Sequence, residues 1–144
     1  MPACAGENVR PMHKNFFLID DDPDELDIFS EALSEVGSDC TCVWADSPFT
    51  ALEMLKKQVP DVIFLDINMP RMDGFECLKE IRKIESLSSV PIILYSNGIN
   101  DEACKKALRL GASGCVRKAS DIPKLSSIIR RVMKKQDNHV FLEI

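Results

Sequence analysis

The stretch Asp61-Val62-Ile63-Phe64-Leu65-Asp66-Ile67-Asn68-Met69-Pro70 decides how this chain folds. Its run Val62–Leu65 is apolar without interruption, and it stops on a carboxylate. A continuous run of that length suits a strand covered on both faces, as in a parallel sheet; a strand with one wet face would alternate. Gly74 follows, and after it Phe75, Leu78 and Ile81 fall on one helical face.

The same unit, apolar run then turn then amphipathic helix, recurs on both sides of this stretch. The other runs are Phe16–Ile19, Ile92–Tyr95 and Cys115–Val116, with a weaker one at Cys42–Ala45. The helices carry their own punctuation. Asp22 caps a first helix with Pro23 at its first position, Leu26, Phe29, Leu33 and Val36 form its stripe, and Gly37 ends it. Ser47-Pro48 opens a second helix, Asn100 caps a fourth that Gly111 ends, and Ser120 or Asp121 caps a fifth striped by Leu125, Ile128, Ile129 and Val132. Five strands alternating with five helices predict a doubly wound α/β sandwich with a parallel sheet. Residues 1–14 read as a loose polar leader, 15–135 as the domain, and 136–144 as a tail whose apolar patch Val140–Leu142 packs somewhere on it.

Composition narrows the class. The chain has 144 residues, room for one domain, and its 45% apolar and 28% charged content is that of a globular protein. A net charge of -5 argues against a general nucleic-acid surface, so no DNA partner is expected; the cluster Arg130, Arg131, Lys134 and Lys135 reads as a solvated helix end. No apolar run reaches the ~20 residues that span a bilayer, and Met1–Asn15 has no signal-like core, so no membrane partner and a cytoplasmic location are expected. The six cysteines include no CxxC pair and no zinc spacing, and they are expected to be reduced, structural thiols, with Cys40 and Cys42 on one face of a strand. His13 and His139 lie in the leader and tail and read as surface residues.

Right-handed crossovers bring every strand's C-terminal end to one edge of such a sheet, where ligands bind. Four strand ends there are polar: Asp20, Asp21 and Asp22 after the first, Asp66 and Asn68 after the third, Ser96 on the fourth and Lys118 on the fifth. Clustered carboxylates repel one another, and a hard divalent cation relieves that repulsion. A carboxylate held in line attacks phosphorus to give an acyl phosphate; a lysine and a hydroxyl beside it stabilise the phosphoryl oxygens. The parts for phosphoryl transfer to an aspartate are all present.

On these residues the chain resembles the receiver domains of bacterial two-component response regulators. The likeness is carried by Phe16-Phe17-Leu18-Ile19-Asp20-Asp21-Asp22-Pro23, by Asp61–Pro70 with Met72-Asp73-Gly74, by Val90-Pro91-Ile92-Ile93-Leu94-Tyr95-Ser96, and by Gly111-Ala112-Ser113-Gly114-Cys115-Val116-Arg117-Lys118. It is nearest to single-domain, CheY-like regulators, and the Asp-Asp-Asp-Pro-Asp-Glu-Leu start is similar to the subgroup that pairs with phytochrome-type histidine kinases. The resemblance implies a flavodoxin/CheY-like sheet of order 2-1-3-4-5. It makes Asp66 the phosphoacceptor, Ser96 the switch hydroxyl and Lys118 the phosphoryl-contacting lysine. It implies Mg2+, with Mn2+ or Ca2+ as substitutes, held by Asp21 directly, by Asp20 through water, by Asp66 and by the backbone carbonyl of Asn68. The implied partners are a sensor histidine kinase or phosphotransfer protein at the first and fifth helices, and a downstream protein or a second copy at the 4–5 face, the chain being a monomer or weak homodimer. Such a protein is a phosphoacceptor rather than an enzyme in its own right.

Three residues depart from the family pattern. Cys115 stands where many members carry an aromatic ring that moves with the switch hydroxyl. Ala119 replaces a common proline, which leaves a trans bond as the expectation. Asn97 stands where a small residue is usual, and it is expected to narrow access to Asp66. A degenerate receiver used only for docking would have lost an acidic or lysine position, and none is lost. A phosphohydrolase of the haloacid-dehalogenase kind would carry Asp-x-Asp on its first strand and a cap domain. Only about nine residues follow Lys135, so output is expected through partner binding or onward phosphoryl transfer.

Overall fold

The computed structural model describes residues 14–118, 121–134 and 141–143. The leader up to His13, the caps and bonds at Ala119 and Ser120, and Lys135, His139 and Val140 lie outside the described residues. Strands β1 (Lys14–Ile19), β2 (Cys40–Ala45), β3 (Val62–Leu65), β4 (Ile92–Ser96) and β5 (Gly114–Arg117) alternate with helices α1 (Pro23–Val36), α2 (Pro48–Leu55), α3 (Gly74–Arg82), α4 (Asp101–Arg109) and α5 (Ile122–Lys134). A 3-10 turn, Glu85–Leu87, precedes β4. The five strands are parallel in the expected order β2-β1-β3-β4-β5.

The continuous apolar runs are explained by two cores, one on each side of the sheet. Phe17, Ile19, Ile63, Leu65, Ile92 and Leu94 face α2, α3 and α4. Their neighbours Phe16, Leu18, Val62, Phe64, Ile93, Tyr95 and Val116 face α1 and α5. Alternation persists, but both faces are dry. On the second face Phe29 of α1 meets Phe64 edge to face at 5.0 Å between centroids, and Phe64 meets Tyr95 at 5.7 Å. Fully burying each such ring stabilises the fold by about 1.5–3 kcal/mol, with ~0.5–1.5 kcal/mol more from the ring geometry.

The helix caps follow the residues. The side chains of Asp22, Ser47, Asp73 and Asn100 accept from backbone N–H groups in the first turns of α1, α2, α3 and α4. Gly111, after α4, sits at φ 109°, a conformation that costs other residues dearly. Cys40 and Cys42 share one face of β2, half-buried against the α1–α5 side. Among the described residues no helix is long and apolar enough to cross a membrane.

Two features were not visible beforehand. The apolar tail forms a sixth strand, β6 (Phe141–Glu143), parallel to β5 with Cys115 opposite Leu142. It repeats the β-α-β crossover once more, because α5 returns the chain to the N-terminal edge from which a parallel strand starts. The expectation of reduced thiols also needs correcting: Cys104 of α4 and Cys115 of β5 form a disulfide, their Cα atoms 6.0 Å apart. No spacing rule signals this pair. The two cysteines meet only because α4 packs over β5, at a separation that a disulfide spans. Cys40, Cys42 and Cys77 are free thiols.

Candidate functional site

The parallel register fixes the site. Ile19 pairs with Leu65, so the next residues, Asp20 and Asp66, emerge side by side, and the Asp66 N–H still donates to the Ile19 carbonyl at 3.0 Å. Ser96 pairs with Arg117, and the Lys118 N–H donates to the Ser96 carbonyl at 3.1 Å. Asp20, Asp66, Ser96 and Lys118 therefore sit on one rim because four short strands end together.

Lys118 lies at the centre. Its Nζ is 2.7 Å from Asp20 Oδ2, 3.5 Å from Asp66 Oδ2 and 3.8 Å from Glu25 Oε2. These side chains are only 8%, 0%, 6% and 14% exposed for Lys118, Asp20, Asp66 and Glu25, so their charges are weakly screened. Burial pushes the Asp20 carboxyl up, against the lowering effect of the Lys118 hydrogen bond. Burial likewise raises the Glu25 carboxyl. For Lys118 burial acts downward, but the Asp20 hydrogen bond and the charges of Asp66, Asp20 and Glu25 outweigh it, and the ammonium is held above its ordinary range.

Asp66 is oriented by its own loop. Its Oδ1 accepts from the Asn68 backbone N–H at 3.1 Å, while the Asn68 side-chain amide donates to Ser96 Oγ at 3.2 Å. One residue thus ties the central carboxylate to the buried hydroxyl of β4. Beneath this loop Gly74 has no room for a side chain: a Cβ would lie 2.4 Å from Ile67 Cα and 2.6 Å from the Asp66 carbonyl oxygen. Asp20 is held by the Trp44 indole, which donates to its backbone carbonyl at 2.8 Å, and its Oδ1 accepts from the Asp22 N–H at 3.0 Å. Asn97, the residue after Ser96, is exposed.

Carboxylate oxygens of Asp20, Asp21 and Asp66 all lie within 4.8 Å of one another, with Asp21 open to solvent. Three hard oxygen donors at one corner, and water access on one side, fit a small divalent cation that keeps part of its hydration.

Glu25 escaped the sequence reading. Its position three residues after the capping Asp22 suggests a reciprocal cap, in which a glutamate returns to the cap residue's N–H. Asp20 already takes that N–H. Glu25 instead turns into the site, where its Oε1 is buried without a hydrogen-bond partner among the described residues.

Comparison with known proteins agrees with this geometry. Residues 16–130 match the family described as response regulator receiver domain. The regulatory protein AtoC of Escherichia coli K12 is 34% identical over 128 residues, 85% of this chain but 27% of that protein, so the chain spans about a quarter of its length. The solved structure of the Vibrio cholerae chemotaxis protein CheY4 superposes with a TM-score of 0.76 at 26% identity, covering 84% of this chain and 99% of that one. The phosphorylated cyanobacterial phytochrome response regulator RcpA does so with a TM-score of 0.75 at 25% identity, over 85% and 93% of the two chains. With the 2-1-3-4-5 parallel sheet, the acidic corner and the buried lysine in place, the chain belongs to the response regulator receiver domain family.

Proposed function

We propose that this chain is a phosphorylation switch in which Asp66 accepts a phosphoryl group from a histidine kinase or phosphotransfer protein. The observation that carries the reading is the placement of the Lys118 ammonium 3.5 Å from Asp66 Oδ2, beside a corner of three carboxylates. A carboxylate oxygen of Asp66 attacks the phosphorus of a phosphohistidine, the new O–P bond forms as the P–N bond breaks, and the imidazole leaves with the electron pair. Lys118 meets the negative charge of the incoming phosphoryl oxygens, and the Ser96 hydroxyl turns from Asn68 to donate to one of them. Asp20, Asp21, Asp66 and the Asn68 carbonyl would hold Mg2+, which when bound neutralises the carboxylates and the phosphoryl charge.

The kinase side is the α1–α5 face that adjoins the site, and the readout side is α4 with β5; the phosphoryl group is either sensed there by a protein target or passed onward. Transfer from a radiolabelled histidine kinase tests the reading. Label that appears on this chain with Mg2+, is lost with a chelator and is absent in Asp66→Asn supports it. Undiminished label in Asp66→Asn would overturn it.

A further inference from the structure

We propose that Cys104 and Cys115 form a reversible dithiol–disulfide site that clamps α4 onto β5 and thereby gates the readout of the phosphorylated state. The gating clause rests on the function proposed above; the clamp itself does not. Three observations converge on it. First, the bond joins a helix to a strand, 11 residues apart in sequence, on the face opposite α1 and α5. Second, α4 is held more lightly than α5. It buries Cys104 and Ala107 and packs Ala103 and Leu108 only partly buried against the core, whereas α5 buries Leu125, Ser126, Ile128, Ile129 and Val132. A helix anchored by so short a stripe opens more readily than one anchored by a full apolar stripe, and Lys106 over the Phe75 ring at 4.4 Å adds a surface tie to α3. Third, the other end of the bond is held on both sides: Cys115 pairs with Leu94 of β4 and with Leu142 of β6. Making or breaking the bond therefore changes the freedom of α4 and leaves β5 in place.

Leu94 stands two residues before Ser96 on β4. The cysteine pair thus lies under α4, one strand over from the switch hydroxyl and two residues before its level in the sheet.

The chemistry is thiol–disulfide exchange with a small disulfide such as glutathione disulfide. One protein thiolate, on the more accessible Cys104 (4% exposed against 0%), attacks a sulfur of the oxidant and expels one thiolate, leaving a mixed disulfide. The Cys115 thiolate then attacks Cys104 Sγ and expels the second. The protein loses two protons and two electrons in total, and the oxidant becomes two thiols. A dithiol reductant reverses both steps.

The test uses the full chain, equilibrated in glutathione buffers of graded oxidation. Differential alkylation with mass spectrometry reads the two cysteines, and hydrogen exchange reads the amides of residues 101–109. Cys104 and Cys115 should become protected together by oxidant and exposed together by reductant, with α4 amides exchanging at least tenfold faster in the reduced chain. Cys104→Ala should show the fast exchange in either buffer while keeping its thermal transition. Alkylation of Cys104 and Cys115 that does not change from oxidised to reduced buffer, or α4 exchange that ignores the buffer, overturns the clamp. Beryllofluoride should alter α4 exchange in the reduced chain and not in the oxidised one; the same response in both, or in neither, overturns the gating. Labelling of Asp66 by acetyl phosphate, followed in parallel, reports separately on whether Asp66 is the acceptor.

Discussion

Replacing Lys118 with methionine removes the cation that lies among three buried or half-buried acidic neighbours and should expose what that cation balances. At an effective dielectric near 20 its attractions to Asp20, Asp66 and Glu25, at 2.7, 3.5 and 3.8 Å, are about 4–6 kcal/mol each. Desolvation of the same groups offsets most of that sum. The net cost of breaking a buried pair is about 3–5 kcal/mol, and the open Asp21 side places this site near the lower end. With a urea slope of about 2 kcal/mol per M, the midpoint should fall by about 1.5 M at neutral pH. The sign with pH follows from the carboxyls. Asp20 and Glu25 are already raised in the folded chain, and losing Lys118 raises them further. A group raised on folding gives its full stability below its unfolded value and loses it as pH climbs through the folded one. The deficit of Lys118→Met should therefore shrink as pH falls through the raised range of these carboxyls. The parent should show a separate alkaline loss, above the ordinary lysine range, that the variant lacks. Mg2+ should stabilise the variant more than the parent, since it no longer competes with the ammonium. Urea titrations at several pH values, with and without Mg2+, measure all of this. A variant within about 1 kcal/mol of the parent throughout, and equally responsive to Mg2+, refutes the charge-balance reasoning.

Gly74→Ala forces a Cβ against the backbone of Asp66 and Ile67 and should cost about 1–3 kcal/mol while slowing acetyl-phosphate labelling of Asp66; unchanged stability in urea would show that the loop yields freely. Arg71 holds φ 72°, a left-handed backbone that costs a side chain ~1–2 kcal/mol. Set against glycine's larger unfolded entropy and the lost contact with the Phe49 ring, Arg71→Gly should leave stability level or raise it by up to about 1 kcal/mol, and a clear drop in the urea midpoint would contradict the strain. Asn97→Ala should speed labelling by acetyl phosphate by opening the mouth of the site, and equal rates would sink that role. Burial pushes the Cys42 and Cys77 thiols up to about 12, so neither should react with iodoacetamide in the native chain at pH 8, whereas brisk native alkylation of Cys77 would show that its pocket opens.

The parallel sheet and the residues of its C-terminal rim were legible because they depend on local patterns, while the order of its strands was implied only by the family resemblance. Val62–Leu65 could be read as a doubly covered strand from its own composition, and the crossover rule then placed Asp20, Asp66, Ser96 and Lys118 together without any distance being known. What stayed hidden depends on contacts between elements. The inward turn of Glu25 follows from the prior claim of Asp20 on the Asp22 N–H. The Cys104–Cys115 bond follows from the axial setting of α4 on β5, which no periodicity encodes. The tail patch was visibly apolar, yet a three-residue strand is too short to announce a period, and only its pairing with β5 defines it.

That last strand alters how the molecule is best observed. Helix α5 spans 13 residues, about 20 Å, and carries the chain away from the rim of Asp66 and Lys118. Strand β6 brings it back, with Glu143 opposite Val116. Lys118 lies only two residues beyond Val116, just past the end of β5, about 7 Å away. A small fluorophore at position 143 would therefore stand near the reactive rim, on the flank away from β2, and could report on phosphoryl transfer without a label on any residue of the site.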